Sequence, residues 1–225
     1  MSKSRGNVIN PDDIVDGSGS DSLRLYEMFM GPLEAVKPWQ TNQVSGVVRF
    51  QSRLYNVIQN AANNNVEEMD EETTKILHKT MKKVTEDMDA MSFNTAISAM
   101  MVLVNHLSSL KEQVPREAAE KLALMVSPFA PHLGEECWNM LGHETSLAYE
   151  PWVEYDEELC VDNTLKMGVQ VNGKVRGEIE IGKDADQEAA MAEAMKESKV
   201  QAQLEGKDIK KIIFVPGRIL NIVAK

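Results

Sequence analysis

Over residues 40–142 apolar side chains return every three or four positions, and no other feature limits the fold as tightly. Phe93, Ile97, Met100, Val104 and Leu107 step by four, three, four and three. At 3.6 residues per turn that spacing lays them along one face of a helix. Leu77, Met81, Val84, Met88 and Met91 repeat the pattern, as do Ala118, Leu122, Met125 and Phe129, and upstream Val47, Phe50, Leu54 and Val57. Chain-breaking residues separate these stretches: Asn63-Asn64-Asn65, the turn at 90–92, Val114-Pro115, and the segment from Pro128 to Pro131. Four or five amphipathic helices with short connections predict an antiparallel bundle. The methionines on the stripes suit irregular core packing, because the side chain is unbranched and adaptable.

After Glu150 the period changes. An acidic stretch containing Pro151 reads as a linker over 151–164. Beyond it Met167-Gly168-Val169-Gln170-Val171 alternates and meets Asn172-Gly173, a strong signal for a two-residue hairpin turn. Lys211 to Val215, Pro216-Gly217 and Arg218 to Val223 predict a second hairpin, and residues 184–204 between them predict a helix. The expectation is a small α+β domain over 165–225 with the order ββαββ, so the fold class is mainly α with a small α+β domain following the bundle.

Charge divides along the same line. The chain has a formal net charge of −11. Residues 161–225 hold 11 Lys/Arg against 10 Asp/Glu; subtraction from the chain totals of 24 and 35 leaves the other 160 residues with 13 against 25. An acidic surface of that kind excludes indiscriminate nucleic-acid binding by the whole molecule but not a local basic patch. Cys137 and Cys160 form no disulfide framework or paired metal-ligand spacing, and His78, His106, His132 and His143 are scattered, so no metal site is expected. The stretch from Ala96 to Leu107 is too short to span a bilayer, and no secretory signal opens the chain, so a cytoplasmic location and no membrane partner are expected.

The opening residues carry the chemistry. Ser2, Ser4, Gly6 and Asn7 make a pliant start with Lys3 and Arg5 among them; Asn10-Pro11-Asp12-Asp13 then reads as a helix N-cap, a first-turn proline and two acids. Asp21 to Met30 predicts a second helix, ending at Gly31-Pro32. MSKSRGNVINPDDIV resembles the signature loop of class I aminoacyl-tRNA synthetases, beginning at that motif's second letter. SDSLRLYEMFMGPLE at 20–34 resembles the leucine-specific members. SPFAPHLGEECW at 127–138 resembles the anticodon-binding bundle shared by the leucine, isoleucine, valine and methionine enzymes, with Ser127 where alanine is common. GVQVNGKVRGEIEIG at 168–182 resembles the C-terminal domain of bacterial-type leucine enzymes.

That resemblance implies attachment of leucine to tRNA(Leu) through leucyl-adenylate, with ATP as substrate and Mg2+ expected for the whole enzyme. It makes Lys3 the catalytic contact to ATP, with Ser2 and Ser4 beside it. A lysine on a flexible loop suits this role, since negative charge builds on the phosphate oxygens and the departing pyrophosphate. It divides the chain into residues 1–36 as the end of a catalytic domain, 37–150 as the bundle, the linker, and 165–225 as a tRNA-binding domain. It places the catalytic and editing domains upstream, so these residues alone are expected to be an inactive monomeric fragment. The family's bundle docks on the inner face of tRNA and its C-terminal domain reaches the elbow. Lys174, Arg176, Lys207, Lys210, Lys211 and Arg218 are the candidate phosphate contacts, with Lys174 and Arg176 expected on one strand face. Two alternatives stay open: a valine- or isoleucine-type synthetase, and a non-enzymatic RNA-binding or helical interaction module.

Overall fold

A computed structural model describes residues 3–6, 8–161 and 164–225, except for the side chains of Lys3 and Thr164. It divides into two compact units, residues 1–160 and 161–225.

The first unit is helical. Asn10 accepts a hydrogen bond from the Asp12 N–H and so caps α1 (Pro11–Ser18), as its sequence predicts. Gly19, at φ 87°, turns the chain into α2 (Ser20–Phe29), whereas Gly17 lies inside α1 rather than ending it. The predicted bundle appears as five helices: α3 (Val44–Asn64), α4 (Glu71–Asp89), α5 (Phe93–Ser109), α6 (Arg116–Val126) and α7 (Pro131–Met140). Asn65 ends α3 in the left-handed conformation, the kind of stop the asparagine run predicts. The stripes are buried as drawn from the sequence, except that Met88 and Phe93 are half-buried and Met91 is exposed. Met91 follows the end of α4 at φ 55° and is exposed, because the turn rather than the helix decides where it points.

Residues 1–36 do not stand apart from the bundle. Leu25 and Tyr26 belong to its core, and Tyr26 meets Trp39 edge-to-face at 4.9 Å. Asp21, nearly buried, reaches the start of α7. One carboxylate oxygen accepts the Leu133 N–H at 2.8 Å, and the other lies 2.9 Å from Nδ1 of His132. The helix N-terminus leaves such N–H groups without intrahelical partners, so a carboxylate there is doubly favourable. Arg24 donates to the carbonyls of Pro128 and Phe129 in the same corner. The 127–134 corner is also close-packed: a Cβ on Gly134 would lie 2.8 Å from that of Ser127.

The segment expected as a linker is fastened over most of its length. Trp152 donates to the Thr85 hydroxyl, the Asp156 N–H donates to Nδ1 of His78, and Glu157 pairs with Lys82 at 2.5 Å. Val153 is buried beside them. All three partners lie on α4, so the strap belongs to the first unit through Cys160.

The second unit is a four-stranded sheet in the order β2-β1-β4-β3, formed by β1 (Thr164–Val171), β2 (Lys174–Gly182), β3 (Ile209–Val215) and β4 (Ile219–Ala224). Both predicted hairpins are present and antiparallel; β1 and β4 pair in parallel at the centre. The helical segment divides into α8 (Gln187–Ala194) and α9 (Ser198–Leu204), giving ββααββ. Continuing α8 would carry its buried stripe from Ala190 and Ala194 to the exposed positions Ser198 and Gln201. The break instead turns Val200 and Leu204 inward onto Met167, Val169, Ile179 and Ile222.

Candidate nucleic-acid interface

Asn172 and Gly173 form the β1–β2 turn, with φ of 53° and 77°. The asparagine does more than tolerate that backbone. Its side chain donates to the Ala224 carbonyl and accepts the Ala224 N–H, while Asn221 accepts the Gly173 N–H. The turn is thereby bound to the far end of β4. The same end holds the start of β3, since Lys211 pairs with Val223, and the Asp208 and Lys225 backbones exchange hydrogen bonds there.

This topology sorts the six candidate contacts. Lys174, Lys207, Lys210 and Lys211 come to one end of the sheet. Lys174 and Lys211 stand on opposite edge strands, three strand spacings or about 14 Å apart. Lys225 joins that end and was missed, because finding it requires the parallel β1–β4 pairing, which no local pattern encodes. Arg218 lies in the β3–β4 turn at the other end, beside Gly168, whose partner is Ile219. The basic positions therefore do not form one cluster.

The strand alternation from which Lys174 and Arg176 are expected to share a face is interrupted between them. The β1–β2 register shifts between Val169 and Gln170: Val169 faces Gly177 and Gln170 faces Val175, leaving Arg176 as the extra residue of a bulge. Lys174 pairs with Val171, whose side chain points to the helices, whereas Glu178 and Glu180 pair with Gly168 and Lys166 on the open face. A bulge inserts one residue and breaks alternation, so parity counted along the strand fails across it. Arg176 instead lines a cleft of about 520 Å³ with Val175, Gly177, Lys199, Ala202 and Gln203. Its Nε is buried with no hydrogen-bond partner among the described residues. Lys199, also missed, is the second cation of that cleft.

Part of the charge is engaged locally. Lys210 pairs with Asp208 at 3.3 Å, and Lys207 donates to the Gln203 carbonyl. Lys174, Lys211 and Arg218 are exposed. At the chain's opening, the Lys3–Arg5 backbone makes a short 3-10 turn and Ser4 is exposed. Ser2 and the Lys3 side chain lie outside the described residues.

The remaining titratable groups read as structural. Burial pushes the Cys137 thiol up to about 12, so it stays protonated and unreactive at neutral pH. Glu135 is held below the usual carboxylate range by hydrogen bonds from the Ser146 hydroxyl and the Leu147 N–H, which fix the loop after α7. His143 stacks on Trp138 at 3.6 Å and bonds Glu120, and His106 meets the Thr73 hydroxyl. Among the described residues no three His, Cys, Asp or Glu side chains converge as metal ligands would. No described helix is long and apolar enough to cross a membrane.

Comparison with known proteins matches this arrangement. Along 223 residues, 99% of its length, the chain is 59% identical to the leucine--tRNA ligase of Sorangium cellulosum (strain So ce56). It spans only 26% of that relative. The crystal structure of the ternary complex of Agrobacterium radiobacter K84 agnB2 LeuRS with tRNA and LeuAMS superposes with a TM-score of 0.70 at 28% identity, covering all of this chain and 31% of that one. The family model described as the anticodon-binding domain of tRNA ligase matches residues 70–191, from the cap of α4 into α8. With more than half its residues matched, and a helical bundle of the predicted kind, the chain belongs to the family of tRNA-ligase anticodon-binding domains.

Proposed function

We propose that these residues are the C-terminal quarter of a leucine--tRNA ligase, which joins leucine to tRNA(Leu) with ATP in the cytoplasm. The observation that carries the reading is the 59% identity to such a ligase over nearly the whole chain. The leucine-type segment MFMGPLE favours this specificity over valine or isoleucine. In this reading the leucine carboxylate attacks the α-phosphorus of ATP, and the bond to pyrophosphate breaks. Lys3, with Ser2 and Ser4 beside it, meets the charge that develops on the phosphate oxygens. The bundle and the C-terminal unit hold tRNA. Lys174, Lys207, Lys210, Lys211 and Lys225 serve as phosphate contacts at one end of the sheet, Arg176 with Lys199 from the cleft, and Arg218 separately. Catalytic and editing domains precede this segment in the ligase, which acts as a monomer.

The test is Lys3→Ala in the full-length ligase. Leucine-dependent pyrophosphate exchange is expected to fall by about 10²–10³, with leucine affinity and tRNA binding unchanged. Exchange at the wild-type rate would overturn the role of Lys3. Failure of the wild-type ligase to charge tRNA(Leu) would overturn the whole reading.

A further inference from the structure

Asn172-Gly173 is the only Asn-Gly pair in the chain, and its chemistry reaches beyond shaping a turn. In a flexible peptide such a pair is labile. The glycine nitrogen can attack the side-chain amide of the asparagine, because glycine has no side chain to hinder the approach. Here both residues are exposed, and a Cβ on Gly173 would meet nothing within 4 Å, so water and hydroxide have access. The cations brought to this end of the sheet, Lys174, Lys211 and Lys225 among them, favour hydroxide and a negative charge developing on the amide. Sequence and surroundings both promote the reaction.

Hydrogen bonding opposes it, because every polar group the reaction needs is already engaged. The Gly173 N–H, which must lose its proton, donates to Oδ1 of Asn221 at 3.1 Å. Nδ2 of Asn172, which must leave, donates to the Ala224 carbonyl at 2.9 Å, and Oδ1 of Asn172 accepts the Ala224 N–H at 3.0 Å. The Asn172 N–H donates to the Ile222 carbonyl at 2.9 Å, which fixes the backbone of the same residue. Attack requires the Asn172 side chain to swing off Ala224 and the Gly173 nitrogen to come off Asn221.

We propose that Asn172 is a latent deamidation site, held closed by Ala224 and Asn221, and that the bond from Gly173 to Asn221 sets its rate. When the turn opens, hydroxide takes the Gly173 amide proton and the nitrogen bonds to Cγ of Asn172. The bond from Cγ to Nδ2 breaks, and that nitrogen departs as ammonia with a proton from water, which restores the hydroxide. Water then opens the cyclic imide at either of its carbonyls, leaving aspartate or β-linked isoaspartate at position 172. The sum is one water consumed and one ammonia released. Either product carries a carboxylate, which accepts hydrogen bonds but cannot donate to the Ala224 carbonyl. The turn then loses a fastening to β4, and a negative charge appears among the lysines. Isoaspartate also lengthens the backbone and displaces Lys174 from its pairing with Val171. None of this depends on the ligase reading.

The experiment incubates the full chain at mildly alkaline pH and follows residue 172 by peptide mapping, with isoaspartate and ammonia as readouts. Mapping separates this site from Asp16-Gly17, where isomerisation releases no ammonia. The reference is the free peptide VQVNGKVRG, residues 169–177. The folded chain should deamidate more slowly than the peptide, by a factor matching the protection of the Gly173 amide against hydrogen exchange, because one opening exposes both. Asn221→Ala should speed the reaction about two- to tenfold, the worth of one hydrogen bond, and Asn221→Asp, which keeps an acceptor, should restore most of the protection. Equal rates in chain and peptide would show that the site is not closed. Slow deamidation beside an unprotected Gly173 amide, or an unchanged rate in a folded Asn221→Ala chain, would remove Asn221 as the gate. Each of these results overturns the proposal. If Asn221→Ala fails to fold, the wild-type chain decides: a match between amide protection and slowed deamidation supports the proposal, and a mismatch overturns it.

Discussion

The bundle and the C-terminal unit solve opposite problems. The bundle hides most of its apolar stripes and leaves most of its acids outside, and its polar contacts act as fasteners between distant segments. Asp21 on α7, Arg24 on the 128–129 carbonyls and the 152–160 strap on α4 are examples. The C-terminal unit covers one sheet face with two short helices and leaves the other face open, with Val175, Ile213 and Val215 exposed. Its polar contacts instead fix a turn. Cohesion in the first comes from area buried, and shape in the second from a few backbone-directed asparagine bonds. Substitutions should therefore act on the two units through different physics.

The largest expected effect comes from Phe129→Ala. Phe129 is fully buried and packs edge-to-face on Phe93 at 6.0 Å, and truncating such a ring costs about 3–5 kcal/mol. Amide exchange in this chain should speed across α3 to α7 while β1 to β4 keep their protection. Equal loss in both would break the comparison, because the units would then unfold as one. Next in size, Gly134→Ala forces a methyl against Ser127, and overpacking of that kind costs about 1–3 kcal/mol. The gain in helix propensity, about 1 kcal/mol, offsets only part of it. A lowered melting temperature for the bundle is expected; an unchanged one would mean that Ser127 yields.

The smallest effect is the response to acid. Asp70 and Glu135 are both held below their ordinary values, Asp70 by hydrogen bonds from Thr73 and Glu135 by those from Ser146 and Leu147. A carboxylate depressed in the folded state contributes stability above its unfolded value and loses it as pH falls through the folded one. Stability of the bundle should therefore decline below about pH 4.5, and Asp70→Asn with Glu135→Gln should flatten that decline. Denaturant melts between pH 3 and pH 7, the latter as reference, would check it. An equal slope in the variant would assign acid sensitivity to other groups.

How far the sequence carried depends on the range of each interaction. The helical stripes were legible because burial repeats with the helix period. Both hairpins were legible because Asn-Gly and Pro-Gly are local signals. The Arg176 bulge was not, since it exists only in the pairing of two strands. The break between α8 and α9 was not, since it answers to the sheet below. The fastening of Trp152 and Asp156 depends on partners 67 and 78 residues away, and acidity with a proline looked like a linker. Lys3 was legible as a motif, and the grouping of Lys174 with Lys211 was only half so.

The contact between Asp21 and Leu133 has a consequence for the order in which the molecule is made. Its partners are 112 residues apart, so during translation the carboxylate emerges long before the amide it will cap. At about 5–20 residues per second that delay is about 6–22 s, far longer than the microseconds in which a helix forms. Asp21 on α2 must wait, already synthesised, until the SPFAPHL corner leaves the ribosome and supplies the amide it caps. The residues that carry the lysine loop are thus made before the bundle corner that locks the helix following them in place.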